Sequence, residues 1–202
     1  MENKSHISRK DQARLTKKKI YDTTILLIRK KGYNKITIRE ICQAAEISVG
    51  SFYLYFSSKD EILPEFFRRI DELPLEQDET RCCADRIVGC VRSYLSNMVA
   101  HFDKEILREL ARTSLSARTE YILADDRCLI RHLREILAQA GARLPAGETP
   151  ESMCHRIQTF LVGYVYVWLM RDDVDSDPMV DKVCTELRLF LSGRFPSLYG
   201  ET

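Results

Sequence analysis

Residues 37–56, Thr-Ile-Arg-Glu-Ile-Cys-Gln-Ala-Ala-Glu-Ile-Ser-Val-Gly-Ser-Phe-Tyr-Leu-Tyr-Phe, admit few shapes other than two short helices joined by a tight turn. Thr37 and Glu40 form a T-x-x-E capping box, which predicts a helix beginning at Thr37. Ile38, Ile41 and Ala45 then fall on one stripe at i, i+3 and i+7. Ile47 is placed to plug the turn, and Ser48 is a favourable N-cap for the second helix. Phe52 and Phe56, four apart, mark that helix's inner face. Val49, Gly50, Ser51, Tyr53, Leu54 and Tyr55 are left facing mostly outward. An outer face with large apolar and aromatic side chains and no acid suits a DNA surface better than bulk water. A helix pair of this kind seats its second helix in the major groove.

The distribution of charge agrees. Residues 1–60 hold 13 Lys and Arg against 6 Asp and Glu, net +7, and residues 61–202 hold 18 against 24, net −6, which together make the chain's +1. A basic head on an acidic body is what a phosphate-binding module joined to a different kind of domain should show.

From Arg14 to Leu63 the chain resembles the tetracycline-repressor (TetR) family of bacterial transcriptional regulators. The resemblance is carried by Gly32-Tyr33, Thr37, Ile47-Ser48-Val49-Gly50-Ser51-Phe52-Tyr53, Tyr55-Phe56 and Ser58-Lys59-Asp60-Glu61-Ile62-Leu63, in matching order and spacing. One departure is Glu46, where the family usually has glycine in the turn, and a Glu is less comfortable than Gly at positive φ. From Pro64 onward the match is one of helical texture and length only. In this family that region is divergent and carries the effector site.

Each expected DNA contact has a chemical reason. The start of the second motif helix points unpaired N–H groups and a positive dipole end at phosphate. Ser48 and Ser51 add hydroxyls, Tyr53 a phenol, and Lys59 a charge at the next helix start. Arg39 is able to reach the O6 and N7 edge of guanine, and Val49 and Leu54 offer apolar contact to thymine methyls. The resemblance implies the same division. Thr37, Ser48, Ser51, Tyr53 and Lys59 match phosphate-contacting positions, and Arg39, Val49, Gly50, Leu54 and Tyr55 match positions at or near the bases. Structural roles compete at three of these: a cap for Ser48, a solvated lysine for Lys59, and burial against Ile38 or Arg39 for Tyr53. The basic run Lys4, Arg9, Lys10, Arg14, Lys17, Lys18 and Lys19 reads either as a minor-groove arm or as a disordered electrostatic tether.

The expected fold class is all-α. An N-terminal three-helix helix-turn-helix head over 11–63 (motif 37–56) precedes a C-terminal helical effector-binding and dimerisation domain over 64–202. A first helix is expected over Asp11–Lys31, with Ile20, Thr24, Leu27 and Ile28 buried and Gly32 stopping it. A fourth helix is expected to start at Ser58 through a second capping box with Glu61. The segment Pro74 to Thr80 reads as a hinge. Further helices are expected over Cys82–Phe102, Lys104–Arg112, Leu115–Ala140, Pro150–Arg171 and Pro178–Gly193. Thr149-Pro150 and Asp177-Pro178 place caps before a first-position proline.

Residues 160–170 are apolar all round, so that helix should be buried on several sides. The last helix carries Val180, Val183, Leu187, Phe190 and Leu191 at helical spacing. In the family the last two long helices build a homodimer, and two heads then read a palindromic operator. Tyr94, Met98, His101, Tyr121, Tyr164 and Trp168 are candidates for an effector pocket; ordinary packing is the alternative for each, and the ligand-binding residues stay unassigned. His101 and His132 are also candidates for ligands or switches, against the reading of a partly buried polar residue on a helix.

Several classes are disfavoured. Asp172-Asp173-Val174-Asp175-Ser176-Asp177 lacks the Gly and distal Glu of an EF-hand loop and reads as a solvated loop, with no metal expected. Cys82, Cys83 and Cys90 have no C-x-x-C partner, so buried structural thiols are expected. No nucleophilic triad, glycine-rich phosphate loop or carboxylate pair suggests an enzyme, and no cofactor is expected. No apolar run nears the roughly 20 residues of a membrane span. The basic, polar N-terminus lacks a signal-peptide core, so the expected location is cytoplasmic. The resulting expectation is a DNA-binding regulator, a repressor released from its operator by a small molecule. The alternative is control by a protein partner or by thiol chemistry at Cys82 and Cys83.

Overall fold

A computed structural model describes residues 8–62, 64–76, 78–116, 124, 126–141, 144, 147–173 and 176–199. Among these residues there are helices and turns and no strand. The helices are α1 (Arg9–Lys31), α2 (Ile38–Ala44), α3 (Val49–Tyr53), α4 (Pro64–Asp71), α5 (Cys83–His101), α6 (Lys104–Ser116), α7 (Cys128–Ala140), α8 (Pro150–Met170) and α9 (Ser176–Arg194). The chain divides into two compact units, Met1–Phe66 and Phe67–Thr202.

The first unit is a small core closed by helix caps. Ser8 caps α1 by accepting the Asp11 N–H. Helix therefore begins at Arg9, and the basic residues from Arg9 to Lys19 lie on it instead of forming an extended arm. Lys4 lies outside the described residues. Ile20, Tyr21, Thr24 and Ile28 are the buried face of α1. Ile41, Cys42, Ala45, Phe52, Phe56, Ile62 and Phe66 are buried in the same unit. Tyr21 packs edge-on against Phe66 with ring centres 4.9 Å apart.

The expected α-helix from Ser58 is a different object. Ser58 Oγ does accept the Glu61 N–H (3.3 Å), but the Glu61 carboxylate turns to the Ser57 N–H (2.6 Å), and residues 60–62 make a single 3-10 turn. The α-helix starts only at Pro64, the first-turn position where a residue without an N–H is tolerated.

The second unit packs around α5, against which α7 and α9 lie, with α8 covering α7 and touching α6 and α9. Ile87, Val88, Cys90, Val91 and Leu95 are buried along α5, so α5 is the helix enclosed on several sides. The expected enclosure of α8 is only half met. Ile157, Leu161, Trp168 and Leu169 are buried, whereas Gly163, Val167 and Met170 are exposed. Cations hold its C-terminal end, as the helix dipole favours: Arg108 Nε donates to the Leu169 carbonyl at 2.7 Å, and Lys104 donates to that of Arg171.

Four further expectations change. The segment read as a hinge is tied to α5, since Glu76 N donates to Ser93 Oγ and Asn97 Nδ2 to the Pro74 carbonyl, each at 3.1 Å. The division falls within α4, because Phe66 packs on Tyr21 while Phe67 and its successors belong to the second unit. The single helix expected over Leu115–Ala140 is interrupted: α6 ends at Ser116, and extended backbone at Arg127 (φ −59, ψ 140) starts α7 afresh. Finally, α9 begins at Ser176, so Asp177 lies inside its first turn and does not cap it.

Candidate nucleic-acid interface and the cavity of the second unit

In the first unit α2 is set by its capping box. Thr37 Oγ1 accepts the Glu40 N–H (3.2 Å), and Glu40 Oε2 accepts the Thr37 N–H (2.9 Å). Lys31 Nζ donates to Glu40 Oε1 at 2.7 Å. The Lys31 hydrogen bond, followed by the Thr37 donors, holds the Glu40 carboxyl down at about 2. Between the two residues of this box, Arg39 is exposed and makes no ion pair among the described residues.

The turn needs a left-handed residue, and Glu46 supplies it at φ 52. That conformation lets Ile47 N donate to the Cys42 carbonyl at 3.0 Å. The Glu46 carboxylate takes Lys19 of α1 at 2.9 Å, which lowers its pKa. Ser48 then caps α3 by accepting the Ser51 N–H at 2.9 Å, with the two hydroxyls 2.8 Å apart. Phe52 and Phe56 point inward.

What remains outside is the face expected from the sequence. Val49 is 42%, Tyr53 54% and Leu54 80% exposed, and Gly50 is open to solvent. A Cβ on Gly50 would meet only Ser48 Oγ, at 3.8 Å. Packing within the chain therefore does not require glycine there. Tyr53 lies edge-on to Phe52, ring centres 5.5 Å apart, and is exposed where the competing reading had it buried.

Lys59 behaves differently. Its ammonium donates to the carbonyls of Tyr33 (2.8 Å) and Ile36 (3.2 Å) and lies 4.0 Å from the centre of the Tyr33 ring. It pins the loop between α1 and α2. Tyr33 also donates its phenol proton to Asp60. Sequence reasoning also missed a grouping: Lys10, Arg14 and Lys17 of α1 line a shallow groove with Tyr55. Their i, i+4, i+7 spacing is the signal for it, hidden by treating the basic run as an arm. Lys17 pairs with Glu65 at 3.0 Å.

The second unit holds a partly open cavity of about 100 Å³. Its walls are apolar: Leu95, Met98, Leu107, Leu110, Leu129, Leu161, Val165 and Leu169 among them. The polar lining is Tyr94, Arg127, Gln158 and Tyr166. Of the candidates from the sequence, Tyr94 and Met98 face it. The other described ones do not. His101 is exposed with Nδ1 2.9 Å from the Asn97 carbonyl, Tyr164 stacks on Phe160, and Trp168 lies under Lys104. Tyr121 lies outside the described residues. Sequence reasoning missed Arg127, which falls inside the single helix expected over Leu115–Ala140 and there reads as one more charged helix residue. His132 turns its Nδ1 to the Cys128 carbonyl at 2.8 Å.

Other groups have structural partners. Asp172 pairs with Arg108, and Asp173 with Arg171 at 2.8 Å. Among the described residues no group of three His, Cys, Asp or Glu is arranged to hold a metal. All seven cysteines are free thiols. Burial pushes the Cys82 thiol up and Cys90 to about 12. Among the described residues, no helix is long and apolar enough to cross a membrane.

Residues 20–66 match the family described as "Bacterial regulatory proteins, tetR family". The uncharacterized HTH-type transcriptional regulator YuxN of Bacillus subtilis (strain 168) is 44% identical over 46 residues, which are 23% of this chain and 16% of that protein. The HTH-type transcriptional repressor KstR of Mycolicibacterium smegmatis is 24% identical over 162 residues, 77% of each chain. The fold is similar to Mycobacterium smegmatis BioQ (TM-score 0.64, 15% identity, 92% of this chain and 99% of that one). It is also similar to a TetR-family regulator of Syntrophomonas wolfei (TM-score 0.60, 20% identity, 90% and 97%). The capped helix pair lies within the matched segment, and it is residues 20–66 that belong to the tetR family of bacterial regulatory proteins.

Proposed function

We propose that this regulator is a homodimeric repressor, not an enzyme, that holds a palindromic operator through α3 of each copy and lets go when a small molecule fills the cavity of the second unit. The observation that carries the reading is the outer face of α3. Val49, Gly50, Tyr53 and Leu54 are exposed, carry no acid, and sit in the unit that holds the excess of positive charge. An apolar face of this kind costs free energy in water and gains it against thymine methyls and sugar edges.

In this reading Arg39, Val49, Gly50, Leu54 and Tyr55 lie at or near the bases. Thr37, Ser48, Ser51 and Tyr53 meet phosphates, together with Lys10 and Arg14. Lys59 contributes chiefly by shaping the loop that it pins. The dimer is proposed to form through the exposed apolar faces of α8 and α9, where Val167 is 58%, Met170 78% and Leu189 61% exposed. Control by thiol chemistry at Cys82 and Cys83 is disfavoured: Cys83 is buried, and burial raises the Cys82 pKa, which suppresses the reactive thiolate.

The test is a mobility-shift titration against the DNA upstream of the protein's own gene. Specific retardation that falls steeply with salt, as counterion release demands, is expected. Binding no tighter than to random DNA at every upstream palindrome would overturn the reading.

A further inference from the structure

The cavity is apolar except at one end, and that end is electrostatically one-sided. Arg127 is 4% exposed. Its Nε donates to Asp71 Oδ2 of α4 at 2.6 Å, another guanidinium nitrogen donates to the Tyr94 hydroxyl of α5, and its plane lies 4.9 Å from the Phe67 ring of α4. The first turn of α7 begins at the same place, and Leu129 and Ile130 of that turn line the cavity. Among the described residues no side chain caps that helix start, so its N–H groups add partial positive charge to the guanidinium. Among the described residues, no Asp or Glu lines the cavity. The anion that balances this end is Asp71, whose Oδ1 is buried without a hydrogen-bond partner among the described residues. A buried carboxylate satisfied on one oxygen only is an incompletely stabilised anion.

Resting on the proposal that this cavity is the effector site, we propose that its ligand is an elongated apolar molecule ending in a carboxylate, and that this carboxylate takes Arg127 away from Asp71. The guanidinium matches a planar carboxylate in a two-pronged pair. The apolar walls match an alkyl or aryl body. One guanidinium in a low-dielectric site does not stabilise two carboxylates equally, because the second anion lacks a counterion. Ligand binding and the Asp71–Arg127 pair therefore exclude one another. Asp71 is the last residue of α4, the helix that begins in the first unit at Pro64. Displacing Asp71 loosens that helix from Arg127 and Tyr94 and gives the ligand a differential affinity for two states, which is what a switch requires.

The experiment compares decanoate with decanol, equal in chain and different in charge, by isothermal titration of the full chain and of Asp71→Asn and Arg127→Gln. Hydrogen exchange follows the α4 amides in parallel. Decanoate is expected to bind at least about tenfold more tightly than decanol, the scale of one charge-assisted pair. Asp71→Asn should tighten decanoate further and leave decanol unchanged, since the competitor anion is gone. Arg127→Gln should erase the difference, and decanoate alone should speed exchange in α4. If Arg127→Gln does not fold, Asp71→Asn still decides the competition. Decanol binding as well as decanoate overturns the carboxylate switch while leaving the cavity as an effector site. Decanoate binding that Asp71→Asn does not strengthen also overturns the switch. Binding of neither probe overturns the switch and the effector reading together.

Discussion

The Glu40 carboxylate receives the Thr37 backbone N–H at 2.9 Å and the Lys31 ammonium at 2.7 Å, so one acid joins the end of α1 to the start of α2. Thr37→Ala removes the reciprocal bond and should destabilise the head by about 1 kcal/mol, the usual cost of an N-cap. The Glu40 carboxyl is held at about 2, below its unfolded value near 4.5. A depressed folded pKa means that the stabilisation is complete above the unfolded value and is lost as pH falls through the folded one. Thermal unfolding of the wild type should therefore weaken between about pH 4.5 and pH 2. Glu40→Gln should show a shallower loss over that window, and equal slopes would remove Glu40 from the account.

Glu46 holds a conformation that glycine adopts without strain, at φ 52. Its ion pair with Lys19 is exposed and contributes little. Glu46→Gly should raise the thermal midpoint of the head by a few degrees, because relief of the left-handed strain outweighs the lost pair. A lowered midpoint would show that the Lys19 pair dominates.

Gly50→Ala separates folding from binding. The added methyl meets only Ser48 Oγ at 3.8 Å, and alanine favours helix over glycine by up to about 1 kcal/mol. Stability should hold or rise while operator affinity falls, because the backbone of α3 has lost its room to approach DNA. Unchanged affinity in a filter-binding titration would place the DNA elsewhere.

Arg39→Ala and Lys59→Ala should divide in the same way. Arg39 is exposed and unpaired among the described residues. Its loss should cost about 1–3 kcal/mol of discrimination at one base pair per half-site and leave the melting curve alone. Lys59 pins the Tyr33 and Ile36 carbonyls. Its loss should destabilise the head by on the order of 2 kcal/mol. If Lys59→Ala melts like the wild type, the lysine's hold on the loop is energetically idle.

For the dimer, Val183 and Leu187 are the wrong residues to test. They are 1% and 0% exposed within one copy, so a charge at Leu187 should unfold the second unit. Val167→Glu, on the exposed face of α8, should instead give a folded monomer with weakened operator binding. Sedimentation showing a full dimer for folded Val167→Glu would move the interface away from α8.

The head was legible in the sequence because its determinants are local. The Thr37–Glu40 box, the Ser48 cap and the Phe52–Phe56 spacing each act within four residues, so neighbours in the chain are neighbours in space. The outward face of α3 follows from that periodicity alone. Tertiary structure decided whatever depended on distant partners. Lys59 is engaged by carbonyls 23 and 26 residues away, and Leu187 lies in the core of its own unit because α9 packs on α5. Arg127 reaches Asp71, 56 residues earlier. An arginine within an expected helix looks like any solvated charge until α4, α5 and α7 converge on it, because burial and counter-charge are properties of the assembled unit and not of the residue or its neighbours in the chain.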